Sequence, residues 1–167
     1  MKIGIDAQVI SRNQAGVTYY TRGLVEEIMR RDRKNRYDLM TLPPLAYRFY
    51  YKLHKWGIRI PLEVFFGSHD LYFFPNYVVY PHRRGRAVVV VHDLTFERVP
   101  RWVQPANVEF LRRFVPPSVE KADHVVAVSE FTKKDLIKIY GLPGKKITVV
   151  PPAVDPQLFK PQPESRI

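Results

Sequence analysis

The chain has 167 residues, a length typical of one domain, and its 46% hydrophobic and 13% aromatic content excludes a disordered tail. The formal charge of +11 favours an anionic partner without choosing among nucleic acid, anionic lipid and a phosphorylated substrate. The absence of cysteine excludes disulfides and thiolate metal sites. We expect a cytoplasmic protein, because no apolar stretch reaches the roughly 18 residues of a membrane span and Asp6 comes too early for a signal peptide.

Short apolar runs alternate with helical patterns along the chain. Several runs lack polar alternation, which is typical of strands buried on both faces of a parallel sheet. The sequence therefore predicts a Rossmann-like, doubly wound α/β domain over residues 1–155, with a mostly parallel sheet and helices on both faces. The predicted strands are Lys2–Ala7, Tyr37–Leu42, Leu71–Phe74, Ala87–Val91, His124–Val128 and Ile147–Val150.

Three helices are predicted between these strands. The first carries apolar residues at spacings of three and four from Val17 to Ile28. The second spans Asn107–Lys121, and we expect the Pro116-Pro117 pair to kink or break it. The third begins after Ser129, a good N-cap residue, and ends at Gly141.

Ligands of open α/β sheets bind beyond the carboxyl ends of the strands, so polar residues at those ends are candidate site residues. The loop Gln8–Val17 places Gly16 at a helix start, where free N–H groups favour a diphosphate. From this loop alone, a plain turn glycine is the interpretation that we favour. Four valines are followed at once by His92-Asp93, a pair that can hydrogen-bond a sugar or move a proton. The pair is not a metal site on its own, since no other histidine or carboxylate lies at ligand spacing.

The turn after the fifth predicted strand holds Ser129 and Glu130. The simplest interpretation is that Ser129 caps the next helix. The negative charge of Glu130 interacts favourably with the dipole of that helix, and we expect its side chain to face the crevice at the carboxyl ends of the strands.

A basic amphipathic segment runs from Leu45 to Arg59. One helical face carries Leu45, Phe49, Leu53 and Trp56, and an adjacent stripe carries Arg48, Lys52, Lys55 and Arg59. This pattern is typical of helices that lie on anionic membranes. The alternative, which we favour slightly, is a helix packed on the sheet with its basic side chains reaching water.

Taken in order, these segments resemble the N-terminal domain of GT-B-fold retaining glycosyltransferases of the family 4 type, a large family that includes bacterial mannosyl- and glucosyltransferases. The resemblance covers almost the whole chain except about residues 43–66. The matching stretches are Lys2–Ala7, Ala15–Val17 with Tyr19–Arg22, Val91–Leu94, Ala122–Thr132 with Asp135-Leu136 and Tyr140-Gly141, Lys146–Pro151, Val154-Asp155 and Phe159–Pro161.

The resemblance implies one half of a two-domain enzyme that transfers a hexosyl group from a GDP- or UDP-hexose to a sugar, lipid-linked or polysaccharide acceptor. It implies that His92 contacts the transferred sugar as the catalytic histidine and that Gly16, Val17 and Thr18 approach the donor diphosphate. Asp93, Ser129 and Glu130 would border the acceptor pocket. No metal or other cofactor is expected, because protein cations and helix dipoles neutralise the leaving diphosphate.

The prolines between Pro151 and Ile167 indicate an extended segment, and we expect residues 156–167 to begin an interdomain linker. The partner is then a C-terminal nucleotide-sugar domain, and residues 1–167 alone are expected to be inactive. One alternative is a basic binding module for anionic lipid or nucleic acid. Nucleic acid is disfavoured, because the Lys and Arg residues are scattered and no recognition motif is present. Another alternative is a subunit that docks on a separately encoded catalytic half.

Overall fold

The computed structural model describes residues 1–10 and 15–153. Three parts of the chain lie outside the described residues. They are residues 11–14 of the Gln8–Val17 loop, Val154-Asp155 and the predicted linker over residues 156–167. The described part forms a sheet of six strands flanked by helices. The strands are β1 (Lys2–Asp6), β2 (Arg36–Met40), β3 (Leu71–Phe74), β4 (Arg86–Val91), β5 (His124–Ala127) and β6 (Ile147–Val149).

The sheet order is β2-β1-β3-β4-β5-β6, and every neighbouring pair of strands is parallel. The predicted Rossmann-like α/β fold is therefore confirmed, with strand boundaries within two residues of those predicted. The order changes direction between β1 and β3. In doubly wound sheets this switch point opens a crevice at the carboxyl edge, where ligands bind.

Within the described part of the chain, six α-helices connect the strands. They are α1 (Ala15–Arg31), α2 (Pro44–Lys55), α3 (Glu63–Phe66), α4 (Thr95–Arg98), α5 (Pro105–Lys121) and α6 (Glu130–Tyr140). The side chains of Val25, Leu24 and Tyr20 on α1 pack on one face of the sheet with Ile3, Ile5, Phe73 and Val90. On the other face lies the larger core cluster, which includes Tyr72, Phe74, Val89 and Val91 together with residues of α2, α5 and α6. Strand β4 is thus covered on both sides, which explains its run of valines.

The two ends of α6 follow the sequence prediction. The Ser129 Oγ accepts a hydrogen bond from the Thr132 N–H at 3.0 Å, and Gly141 adopts a left-handed conformation with φ of 66°. Both are local rules of chain chemistry, so a single sequence is enough to reveal them.

The prediction that Pro116-Pro117 breaks the second predicted helix is wrong, because α5 runs continuously from Pro105 to Lys121. Val115 and Val119 are fully buried against the sheet, and the Ser118 hydroxyl donates to the Phe114 carbonyl at 2.6 Å. Packing of the Val115 and Val119 face stabilises the helix although Pro116 and Pro117 lack backbone N–H donors. Tertiary contacts commonly override low helix propensity in this way.

Helix α2 covers the sheet, but not with the face that the apolar pattern suggests. The buried residues of α2 are Tyr50 and His54, whereas Leu45 is 78% and Phe49 64% exposed. Trp56, directly after the helix, is 73% exposed. The slightly favoured interpretation of a packed helix therefore holds for α2 as a whole and is wrong for its apolar stripe.

Candidate active site

A cavity of about 410 Å³ lies beyond the carboxyl ends of β4 and β5. The segment after β4 contributes His92 and Asp93, the turn before α6 contributes Ser129, and the first turn of α6 contributes Thr132. The structure thus brings two of the sequence-predicted polar turns to one opening. The remaining lining residues are Leu94, Thr95, Arg98, Val99, Phe131 and Asp135.

His92 is held by three neighbours that arrive from other parts of the chain. Its Nε2 lies 2.9 Å from the Pro75 carbonyl oxygen, which can only accept a hydrogen bond, so Nε2 carries a proton. The Tyr20 ring meets the imidazole edge-on at a centroid distance of 5.2 Å, and the Tyr77 ring lies at 5.4 Å. The imidazole is therefore fixed in position and orientation before any ligand binds.

Burial lowers the pKa of His92 below its usual value, against the smaller opposing effects of the Pro75 hydrogen bond and the Asp93 charge. His92 is therefore neutral at pH 7. Since Nε2 donates to Pro75, the second nitrogen, Nδ1, is a hydrogen-bond acceptor. A neutral, oriented imidazole of this kind can accept a hydrogen bond from a sugar hydroxyl.

Asp93 is fixed on both carboxylate oxygens. Its Oδ2 accepts from the Tyr77 hydroxyl at 3.1 Å, and its Oδ1 accepts from the Thr95 N–H at 2.8 Å. The Asp93 N–H in turn donates to the Tyr77 hydroxyl oxygen at 3.1 Å. Asp93 nevertheless remains exposed, so its outer face can accept from a ligand hydroxyl.

Tyr77 is a site residue that the sequence reasoning missed. It has a φ of 59°, a left-handed conformation that is costly for a bulky aromatic residue. The turn is closed by a hydrogen bond from the Val78 N–H to the Asn76 carbonyl at 2.6 Å, and the Tyr77 N–H donates to the Val90 carbonyl at 2.9 Å. Strain of this type persists where surrounding contacts enforce it, often at functional sites. No sequence pattern around Tyr77 signals it.

At the start of α6, the hydroxyls of Ser129 and Thr132 make hydrogen bonds within the protein. The Ser129 hydroxyl is within 2.9 Å of the Thr132 hydroxyl, which donates to the His92 carbonyl at 3.1 Å. This contact joins the start of α6 to the end of β4. Glu130 is exposed on the first turn of α6 and is not among the residues that line the cavity.

The helix start that carries the three predicted donor residues follows β1, and Tyr20 of the same helix contacts the His92 ring. Gly16 is exposed, and a Cβ placed there would meet no atom of the described chain within 4 Å. Val17 is half-buried. Thr18 is buried, and its hydroxyl donates to the Val9 carbonyl at 3.3 Å. Of the three, Gly16 is the position at which backbone is open to a ligand.

Arg98 is the cation of the cavity wall and was also missed from sequence. Its Nε lies 3.2 Å from Oδ2 of the buried Asp135, and its guanidinium stacks over the Phe131 ring at 4.8 Å. No other Lys or Arg among residues 1–10 and 15–153 lines this cavity. The positive charge at the site is therefore already paired with a carboxylate.

Asp6, at the end of β1, is a further residue that the sequence reasoning passed over. Burial raises its pKa to about 6, while the hydrogen bond from the Gln8 N–H opposes this rise. It lines a narrow cavity of about 20 Å³ with Tyr50 and Tyr80. This space holds little more than one water, so it does not form a ligand pocket in the present conformation.

Within the part of the chain that the structure describes, no three histidine, aspartate or glutamate side chains are grouped so as to hold a metal ion. Among the same residues, no helix is long and apolar enough to cross a membrane.

The six-stranded parallel sheet, with polar side chains gathered at its carboxyl edge, defines a Rossmann-like α/β domain with a cavity beyond β4 and β5 as its candidate site. Residues 2–158 match the family model described as Glycosyltransferase Family 4. The chain belongs to this family. The predicted resemblance is thereby confirmed at the level of a glycosyltransferase domain.

One curated relative is the O-antigen chain mannosyltransferase B of Escherichia coli. It is 27% identical over 77 residues, a match that covers 46% of this chain and 20% of the relative. The similarity therefore concerns a small part of a longer enzyme.

Proposed function

We propose that residues 1–167 form the acceptor-side domain of a retaining, two-domain glycosyltransferase that moves a hexosyl group from a nucleotide-sugar to an acceptor. The observation that carries the proposal is the fixed, neutral His92 at the end of β4. Its Nε2 is held by Pro75, and its ring is clamped between the Tyr20 and Tyr77 rings. Such preorganisation is what a group needs if it is to bind a sugar more tightly in the transition state than in the ground state.

In this proposal His92 positions the transferred sugar by accepting from one of its hydroxyls. Asp93 accepts from a hydroxyl of the sugar or the acceptor through the part of its carboxylate that remains exposed. Ser129 borders the acceptor pocket and holds the β5–α6 turn in place. Glu130 contacts the acceptor only if the acceptor extends past the cavity along the first turn of α6.

The donor diphosphate is proposed to lie at the open start of α1, against the backbone of Gly16 and Val17. Thr18 supports this helix start through its hydrogen bond to the Val9 carbonyl rather than touching the donor.

The relative's name makes mannose the first sugar to test, and a GDP- or UDP-linked hexose is the co-substrate that we propose. The acceptor is a sugar, a lipid-linked glycan or a polysaccharide.

A second domain is proposed because the cavity is poor in free cations. Arg98 is paired with Asp135, so within the described residues the cavity wall offers no uncompensated charge to a leaving diphosphate. Transition-state charge on the leaving group must be neutralised by preorganised dipoles or cations. We therefore propose that a nucleotide-sugar domain, covalently linked or docked as a separate subunit, supplies them, without a metal ion.

The test compares sugar transfer by residues 1–167 with transfer by the natural protein as translated from its own reading frame. Both are given GDP-mannose, GDP-glucose, UDP-glucose or UDP-galactose with mono- and oligosaccharide acceptors. The proposal expects transfer by the natural protein, or by residues 1–167 with a co-purified partner, and none by residues 1–167 alone. Robust transfer by residues 1–167 alone would overturn the two-domain proposal.

We further propose that the exposed stripe of α2 docks on an anionic membrane surface at the cytoplasmic face. The side chains of Leu45, Phe49 and Trp56 are each more than half exposed. Several large apolar side chains exposed along one stripe are unusual on a surface that faces only water, and they mark an interaction site. Arg48, Lys52, Lys55 and Arg59 follow the same segment, and no ion pair among residues 1–10 and 15–153 involves them. Apolar side chains flanked by free cations match the chemistry of an anionic bilayer.

Membrane docking is tested by Trp56 fluorescence in a Trp102→Phe background, because the chain holds two tryptophans. Vesicles that contain phosphatidylglycerol should shift the Trp56 emission to the blue, and Lys52→Glu should weaken the effect. The matched control is Arg33→Glu, a charge reversal at an exposed site outside α2. An unshifted emission at low salt, or equal weakening by both variants, would contradict docking through α2.

A further inference from the structure

A second, basic cavity lies between α2 and α5, and its lining residues are distinct from those of the His92 cavity. It measures about 170 Å³. Three cationic side chains line it, namely Arg59 after α2 and Arg113 and Lys121 on α5. Arg113, Pro117 and Lys121 follow one another at intervals of four residues, so they share one face of α5. The wall is completed by His54, Gly57, Val79, Pro81, Phe114 and Ser118.

His54 is a buried polar side chain in the wall of this cavity. It is 7% exposed and stacks on the Phe114 ring at a centroid distance of 4.6 Å, with Tyr80 edge-on at 5.3 Å. Both ring nitrogens lack a hydrogen-bond partner among the described residues. A buried N–H without an acceptor costs free energy, so its retention indicates a partner that enters the cavity.

The positive charges around His54 are only weakly compensated by negative charge. Burial lowers the pKa of His54 to about 4, and the positive charges of Arg59 and Arg113 lower it further in the same direction. Burial also lowers the pKa of Lys121, again with Arg59 contributing, while Glu63 has a weaker opposing effect. No ion pair within residues 1–10 and 15–153 involves Arg59, Arg113 or Lys121. Like charges held together in this way attract an anion.

We propose that the cavity between α2 and α5 binds a phosphate group, held by Arg59, Arg113 and Lys121 and by a hydrogen bond from His54. Guanidinium groups match the oxygens of phosphate with paired N–H donors, which makes arginine the residue type suited to this ligand. Ser118 takes no part as a donor, because its hydroxyl proton is committed to the Phe114 carbonyl at 2.6 Å.

This site is independent of the proposed sugar transfer, because none of its residues lines the His92 cavity. The phosphate group can belong to a free phosphorylated molecule or to a lipid headgroup, since the cavity follows directly on the exposed Trp56 at the end of α2. Both sources present the same tetrahedral anion to the same side chains.

The proposal is tested by NMR titration of residues 1–167 with inorganic phosphate at constant ionic strength and pH. We expect saturable shifts of the His54 ring and of backbone amides around residues 57–59 and 113–121. Arg113→Gln and Lys121→Gln should each weaken binding at least about tenfold, as the loss of a charge-assisted hydrogen bond implies. His54→Phe keeps the aromatic stacking and should weaken it as well.

The control is Arg33→Gln, which removes one exposed positive charge away from the cavity and should leave phosphate affinity unchanged. Short-chain phosphatidic acid, below its micelle concentration, distinguishes the source: tighter binding than phosphate through the same residues indicates a lipid headgroup, and equal binding indicates a free phosphate compound. Shifts spread over all basic residues, or binding that survives Arg113→Gln and Lys121→Gln, would overturn the proposal.

Discussion

Tyr77 and Asp93 fix each other through two hydrogen bonds at the mouth of the His92 cavity. The Tyr77 hydroxyl donates to the Asp93 carboxylate at 3.1 Å and accepts from the Asp93 N–H at the same distance. The φ of 59° at Tyr77 is the backbone geometry that accompanies this arrangement. The pair connects the turn after β3 to the end of β4 and so sets the position of Asp93, while the Tyr77 ring packs on His92.

Tyr77→Phe removes the hydroxyl and keeps the ring that packs on His92. We expect a loss of stability of about 1 kcal/mol, because the Asp93 N–H and one carboxylate oxygen each lose a partner. The KM for the acceptor should rise more than kcat falls, since Asp93 is loosened and His92 is not. Urea unfolding and acceptor kinetics on the natural protein measure both effects. Unchanged kinetics would show that Asp93 does not need Tyr77.

Gly16→Ala separates the fold from the proposed donor contact. A Cβ at Gly16 meets no atom of the described residues within 4 Å, so alanine in α1 should raise the free energy of unfolding by about 0.5–1 kcal/mol. Activity should fall, because the methyl group occupies the space where the donor diphosphate approaches the backbone. A more stable and fully active variant would remove Gly16 from the donor site.

Gly23→Ala is the matched control for this experiment. It lies in the same helix, is exposed, and its Cβ also meets nothing within 4 Å. We expect the same gain in the free energy of unfolding, with the rate of sugar transfer unchanged.

His54→Phe should raise the free energy of unfolding by about 1 kcal/mol at pH 7, since it removes two buried nitrogens that lack partners. The gain should grow as the pH falls from 6.5 to about 4. In that window the unfolded histidine binds a proton that the folded one, buried and beside Arg59 and Arg113, does not, so acid destabilises the wild type.

Asp6 has the opposite pH dependence. Its pKa is raised from 3.8 to about 6 in the folded state, so the folded protein binds more protons in this range and acid favours folding. The two effects oppose each other in the wild type. The difference in stability between His54→Phe and the wild type isolates His54, and a difference that does not vary with pH would contradict the account.

Local chemistry made much of the fold predictable. Unbroken apolar runs such as Val88–Val91 indicate strands covered on both faces, and Ser129 and Gly141 mark helix ends through their own backbone preferences. The continuity of helix α5 was harder to predict, because the burial of Val115 and Val119 outweighs the destabilising effect of the two prolines. That energy comes from contacts distant in sequence, which a pattern within one segment does not reveal.

The candidate site was predictable where its residues follow a strand and not where they support it. His92 and Asp93 stand out because they end the valine run. Pro75 and Tyr77 are 17 and 16 residues away from their partners, and they act through a carbonyl oxygen and a strained turn. Neither feature has a residue-type signature, so the three-dimensional structure is needed to find them.

The most direct test of the central claim is sugar transfer by the natural protein with His92→Gln, measured as kcat/KM against pH. Glutamine retains a side-chain donor for the Pro75 carbonyl, but it has no acceptor atom at the ring position of the imidazole Nδ1. We expect at least about a hundredfold loss at pH 7. The wild-type rate should stay level around pH 7 and decline only below about pH 6.5, because burial lowers the pKa of His92 below that ordinary value and the neutral form must be present. Transfer by His92→Gln at the wild-type rate would contradict the assignment of His92 to the sugar.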